Sequence, residues 1–226
     1  MKLQLQETKK LFWDRYLFRI SVFNGLSYIF RSKKLDYARE ILDQLQTLYD
    51  NDQPLVISSN LRNKHITEQD FVNAKALLKE LLKYKGDYLL RVENPILNIY
   101  SNDEHWMLSL IPTKINVTEY SRPADEISQD LLSKNIIITN DLVEYEYKIT
   151  LGDRIGNGSN FRNWIENNKD KIKIGAVCLK AIEDNAYCRG YYFYVRSEKI
   201  IPLINIILGN GIQRIDKIVC RANIDK

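Results

Sequence analysis

Asn98-Ile99-Tyr100-Ser101-Asn102-Asp103-Glu104 and Tyr194-Val195-Arg196-Ser197-Glu198-Lys199 read alike, each a strand that turns into a helix. The first stretch runs on through Trp106, Met107, Leu108 and Leu110 to Lys114-Ile115-Asn116-Val117. The second runs through Ile201, Leu203, Ile204 and Ile207 to Arg214-Ile215-Asp216-Lys217-Ile218-Val219. An apolar helix that closes on a strand, twice in one chain, is an internal repeat, and repeats fix architecture better than local propensity does.

Outward from the second copy, Tyr145, Tyr147, Ile149 and Leu151 alternate with Glu144, Glu146, Lys148 and Thr150, the period of a half-buried strand. A glycine-bearing loop, Gly152 to Gly158, leads to a helix with Phe161, Trp164 and Ile165. Ile172–Ile182 and Tyr187–Arg196 read as strands joined by the turn Glu183-Asp184-Asn185-Ala186. An apolar helix, Ile200–Leu208, stops at Gly209-Asn210-Gly211, and Ile212–Cys220 is the last strand. Strand, helix, strand, strand, helix, strand is the split βαβ, ferredoxin-like order.

The first copy has the same order. Phe12–Phe23 reads as one strand, with Tyr16, Phe18, Ile20 and Val22 opposite Arg15, Leu17, Arg19 and Ser21. Leu35, Ala38, Ile41, Leu42, Leu45 and Leu48 form the stripe of a helix, and Leu55–Ser58 a short strand. Thr67 with Asp70 caps an inserted helix over 67–84, and Ser101 with Glu104 has the capping-box pattern. Tyr88–Val92, Ile96–Tyr100 and Ile115–Tyr120 are strands. The expectation is an α+β chain of two tandem ferredoxin-like units with antiparallel sheets: 1–120, a linker at 121–141, and 142–226.

Hydrophobic residues at 45% and charged residues at 27% support a packed core and exclude wholesale disorder. The 33 basic and 29 acidic residues leave a net +4, which permits a polyanionic partner without marking a dedicated one. Cys178, Cys188 and Cys220 form an odd set without metal-ligand spacing, so reduced thiols are expected in place of disulfides or zinc. Met1–Glu7 lacks the apolar run of a signal peptide, and no run approaches the ~18 residues of a membrane span. Cytoplasm (host cytoplasm or virion for a viral protein) is the expected setting, with no membrane partner and no cofactor.

Arg189-Gly190-Tyr191-Tyr192-Phe193-Tyr194-Val195-Arg196 resembles the third-strand motif of the RNA-recognition-motif family: basic, Gly, aromatic, small, aromatic, aliphatic. Arg189, Gly190, Tyr191 and Phe193 match. Tyr192, Tyr194 and Arg196 depart from it, and Glu144, Glu146 and Lys148 stand where the family's first strand carries an exposed aromatic. The resemblance implies single-stranded RNA held by Arg189, with bases stacked on Tyr191 and Phe193; the alternative is that these rings are core. The closing module also resembles uncharacterised bacteriophage-encoded proteins.

Three further clusters carry expectations. Trp13, Arg15, Arg19 and Arg91 form a basic, aromatic sheet face suited to single-stranded nucleic acid, or simply a solvated face. Arg154, Gly156, Gly158 and Arg162 surround a helix start that attracts anions, without the Gly-Lys-Ser/Thr or GxGxxG pattern of a nucleotide loop. Asp14 and Asp153 would be the carboxylates of a metal-dependent nuclease, and His65 and His105 have no ligand or nucleophile at working spacing. The expected function is non-enzymatic binding of single-stranded nucleic acid or a nucleoprotein assembly. The alternative is a virion structural or protein-interaction component, with a homo-oligomer or virion partner, and a nuclease is third.

Overall fold

The computed structural model describes residues 3–31, 35–58, 63–113, 115–153, 155 and 158–224, which divide into two units, Met1–Asp125 and Glu126–Lys226. In the first, alternation buries Phe18, Ile20 and Val22 beneath the helices and leaves Arg19 on the opposite face. Its strands are β1 (Gln4–Glu7), β2 (Phe18–Phe23), a small hairpin β3 (Val56–Ser58) with β4 (Asn63–His65), β5 (Tyr88–Glu93), β6 (Ile96–Ser101) and β7 (Val117–Arg122). Its helices are α1 (Asp36–Asp50), α2 (Glu68–Lys83) and α3 (Glu104–Leu110). Ala38, Ile41, Leu42 and Leu45 give α1 its buried stripe, and Thr67 Oγ1 caps α2 by accepting the Asp70 N–H at 3.0 Å.

The second unit holds α4 (Glu126–Ser133), β8 (Ile136–Thr139), β9 (Tyr147–Leu151), α5 (Gly158–Glu166), β10 (Ile172–Ile174), α6 (Ala176–Glu183), β11 (Tyr192–Val195), α7 (Ile201–Leu208) and β12 (Ile212–Cys220). Its core joins Ile149, Leu151, Phe161, Ile182, Phe193, Val195 and Ile204, all buried.

The two five-stranded sheets have the same order, β1-β7-β2-β6-β5 and β8-β12-β9-β11-β10. Without the first strand of each, both are the ferredoxin-like arrangement with every neighbouring pair antiparallel. Each unit adds one edge strand, and both added strands run parallel to the last strand of their unit. Even the irregularity repeats. Ser21 pairs with Glu119 and Val22 with Val117, bulging Thr118; Thr150 pairs with Arg214 and Leu151 with Ile212, bulging Gln213.

Four local readings change. The strand expected over Phe12–Phe23 starts only at Phe18. Residues 12–16 fold into a turn in which Phe12 and Tyr16 exchange backbone hydrogen bonds of 2.9 Å. Asn102 anchors that turn, accepting the Leu17 N–H at 2.8 Å and donating to the Arg15 carbonyl at 3.0 Å, so Arg15 is not a strand residue. The strand expected over Ile172–Ile182 is three residues of β10 followed by α6, because Cys178 and Ile182 face the core at helical spacing. Asp103, not Ser101, caps α3, accepting the Trp106 N–H at 2.9 Å. The segment 121–141, expected as a linker with a short helix over Asp125–Ser133 and an apolar anchor at Ile136–Ile138, does form that helix as α4, but the anchor is β8, a strand of the second sheet.

Candidate nucleic-acid interface

Register places the exposed side chains of the second sheet. On the face away from Ile149 and Phe193, Tyr192 lies opposite Thr150, while Tyr194 lies opposite Lys148 and Lys173. Arg214 and Asp216 continue the same two rows on β12. Tyr192 is 45% exposed and meets Tyr194 edge to face, with ring centroids 5.5 Å apart. The Lys148 ammonium lies 3.9 Å from the Tyr192 ring centre. Asp216 is buried and bound by Arg214 at 2.9 Å, so its charge is neutralised, and Lys173 adds an exposed positive charge to the face. Burial, with Tyr192 alongside, pushes the Tyr194 phenol up, so the ring is uncharged at neutral pH.

This face is one residue out of step with the sequence expectation. Phe193, expected as an exposed stacking ring, is fully buried, 5.4 Å from Phe161 in the core. Tyr191 is exposed but precedes β11, in a turn where its N–H reaches the Cys188 carbonyl at 2.9 Å and Gly190 takes φ +86°. Arg189 is exposed beside Tyr187 and 3.6 Å from Asp153. A slip of one residue exchanges the two faces of a strand, so the rings on the open face are Tyr192 and Tyr194, the positions where the motif departs from its family. Lys148, Lys173 and Arg214 were likewise missed as site residues. Alternation about Ile149 places Lys148 on this face, whereas Lys173 and Arg214 join it only through the β10–β11 and β9–β12 registers.

The first unit covers the equivalent face with its own chain. Register makes Arg19 the counterpart of Lys148, Ser21 of Thr150 and Tyr100 of Tyr194. Phe12 packs on Tyr100 with centroids 5.4 Å apart, and Trp13 meets Tyr100 edge-on at 6.2 Å. Arg19 sits over Phe12 at 5.0 Å and Arg91 over Trp13 at 4.7 Å. Arg19 is also tied to Glu119 and Ser121, and Arg15 to Asp87 at 2.9 Å. Thus Arg91 is engaged with Trp13, Arg19 with Phe12, Glu119 and Ser121, and Arg15 stands apart with Asp87.

The anion loop does not assemble among the described residues. Arg154 and Gly156 lie outside them. Gly158 starts α5 so close to the Ile182 carbonyl that any side chain would collide with it. Arg162 pairs with Glu183 at 3.0 Å and with Glu166 at 3.2 Å. Asp14 faces Lys10 at 3.7 Å, Asp153 faces Arg189, and His65 and His105 are exposed. No three His, Cys, Asp or Glu side chains converge as a metal site among the described residues. Burial holds the Cys178 thiol at about 11, so it is protonated and unreactive at neutral pH. No described helix is long and apolar enough to cross a membrane.

Fold and surface together define a duplicated α+β protein whose second sheet presents an exposed tyrosine and lysine face. Comparison with protein-family models, curated proteins and solved structures finds no match.

Proposed function

We propose that the open sheet face of the second unit binds single-stranded nucleic acid. The observation that carries this is the pair Tyr192 and Tyr194, side by side on β11 and flanked by Lys148 and Lys173. Flat rings supply stacking that tolerates any base, and the lysines meet the phosphates between them. Each stacked base contributes roughly 1–3 kcal/mol.

Tyr192→Ala and Tyr194→Ala should each weaken a labelled oligonucleotide about tenfold or more in fluorescence anisotropy. Lys148→Ala and Lys173→Ala should each reduce the slope of log affinity against log salt by about one. Unaltered affinity in both tyrosine variants sinks the proposal. A protein-interaction role has one observation in its favour, Leu203 and Ile206 exposed on α7. That reading predicts association that hardly responds to salt.

A further inference from the structure

The two repeats diverge at one sheet edge, and a groove opens there in the second. In the first unit β5 and β6 pair over six residues, ending with Glu93 opposite Ile96. In the second, β10 pairs with β11 over three, ending with Ile174 opposite Phe193, before the chain leaves into α6. The resulting groove of 360 Å³ is lined by Lys173, Gly175 and Val177 on one side and by Tyr191, Tyr192 and Tyr194 on the other. That volume falls in the range of about 300–1,000 Å³ typical of small-ligand pockets. Tyr192 and Tyr194 belong to the groove and to the open sheet face at once, so the two are continuous. Cys178 also borders the groove, but its protonated thiol offers no covalent chemistry.

Resting on the nucleic-acid reading above, we infer that this groove takes one nucleotide of the bound strand. Its base lies against the tyrosine rings and Val177, and its phosphate meets Lys173. The lining selects that chemistry. Lys173 is exposed and has no ion-pair partner among the described residues, so an uncharged aliphatic ligand would leave it unanswered. A free inorganic anion would leave three rings and the 69% exposed Val177 uncovered. A flat ring bearing a phosphate satisfies both.

Gly175 makes the test clean. Its backbone is extended, φ −76° and ψ 144°, and a Cβ added there meets nothing within 4 Å. Gly175→Leu therefore fills the groove without strain, and Val177→Phe fills it from the facing helix turn. Anisotropy is measured over a length series of labelled oligouridylates. Wild-type affinity should step up about tenfold at the nucleotide that reaches the groove, the scale of one stacked base. Both variants should lose that step. Length profiles identical to wild type in both variants overturn the groove assignment and leave the sheet-face reading standing. No binding by wild type at any length overturns both.

Discussion

The two sheet faces share a plan and differ in who occupies them. Tyr100 and Tyr194 hold the same position, as do Arg19 and Lys148, yet Tyr100 is buried under Phe12 and Trp13 while Tyr194 shares an open face with Tyr192. The cause is local. The connection from β1 to β2 has ten residues, 8–17, and folds back over its sheet; that from β8 to β9 has seven, 140–146. No ring of the shorter segment touches Tyr192 or Tyr194 among the described residues. Covering the first face carries a cost, because Trp13 and Asp14 both take positive φ, 54° and 58°. Each such residue costs roughly 1–2 kcal/mol. Two ring pairs at about 0.5–1.5 kcal/mol each and two arginine–ring contacts at about 0.5–1 kcal/mol each offset that with little to spare. The first unit thus holds two rings of its own chain beside Arg19 and Arg91 on this face, where the second carries Tyr192 and Tyr194.

The sharpest break of this comparison is at Phe193. Phe193→Ala removes a fully buried ring and should lower the unfolding free energy by about 3–5 kcal/mol, whereas Tyr192→Ala, one residue away, should change it by less than about 1 kcal/mol. Denaturant unfolding of both variants checks this, and equal losses would mean that the frame of β11 is misread.

The next test uncovers the first face. Phe12→Ala with Trp13→Gly removes both covering rings, and glycine also relieves the positive φ at position 13. Calorimetric titration with an oligonucleotide should then show a second, weaker site, because Tyr100 is uncovered for stacking while Asn98 stands where the second unit has Tyr192. An unchanged stoichiometry would show that Arg19, tied to Glu119, and not the covering rings, sets the first face apart.

A smaller contrast lies in pH. Burial is the leading cause raising Tyr16, Tyr28, Tyr84, Tyr88 and Tyr120 in the first unit, against Tyr147 and Tyr194 in the second. An unfolded tyrosine ionises near pH ~10 while a folded one with a raised pKa keeps its proton. The stability these groups contribute is therefore complete below that pH and is lost as pH rises toward the folded values. The first unit should unfold at lower alkaline pH. Trp106 fluorescence in a Trp13→Phe/Trp164→Phe chain, set against Trp164 fluorescence in a Trp13→Phe/Trp106→Phe chain, separates the units. Coincident transitions would erase the difference.

Much of the fold was legible because polar residues mark the frame. Arg19 and Ser21 between Phe18, Ile20 and Val22 show which side of β2 is buried, and Lys148 and Thr150 do so for β9. Tyr191-Tyr192-Phe193-Tyr194 has no such mark, so its alternation is invisible and a motif match supplied the wrong phase. Ala176–Ile182 is a short apolar run that suits a strand or a buried helix equally, and only the core decides. Gln4–Glu7 is four exposed residues whose pairing depends on Glu119–Arg122, far along the chain, where no local pattern reaches.

The parallel edge strands have a consequence for how the protein is made. Gln4–Glu7 wait for Glu119–Arg122, and Ile136–Thr139 for Lys217–Cys220. At about 5–20 residues per second on the ribosome, the earliest strand is without its clasp for on the order of ten seconds. A nascent chain stalled before Arg122 or Cys220 therefore trails a loose ribbon beside an unclosed edge, open to pairing with a neighbouring polypeptide until translation resumes.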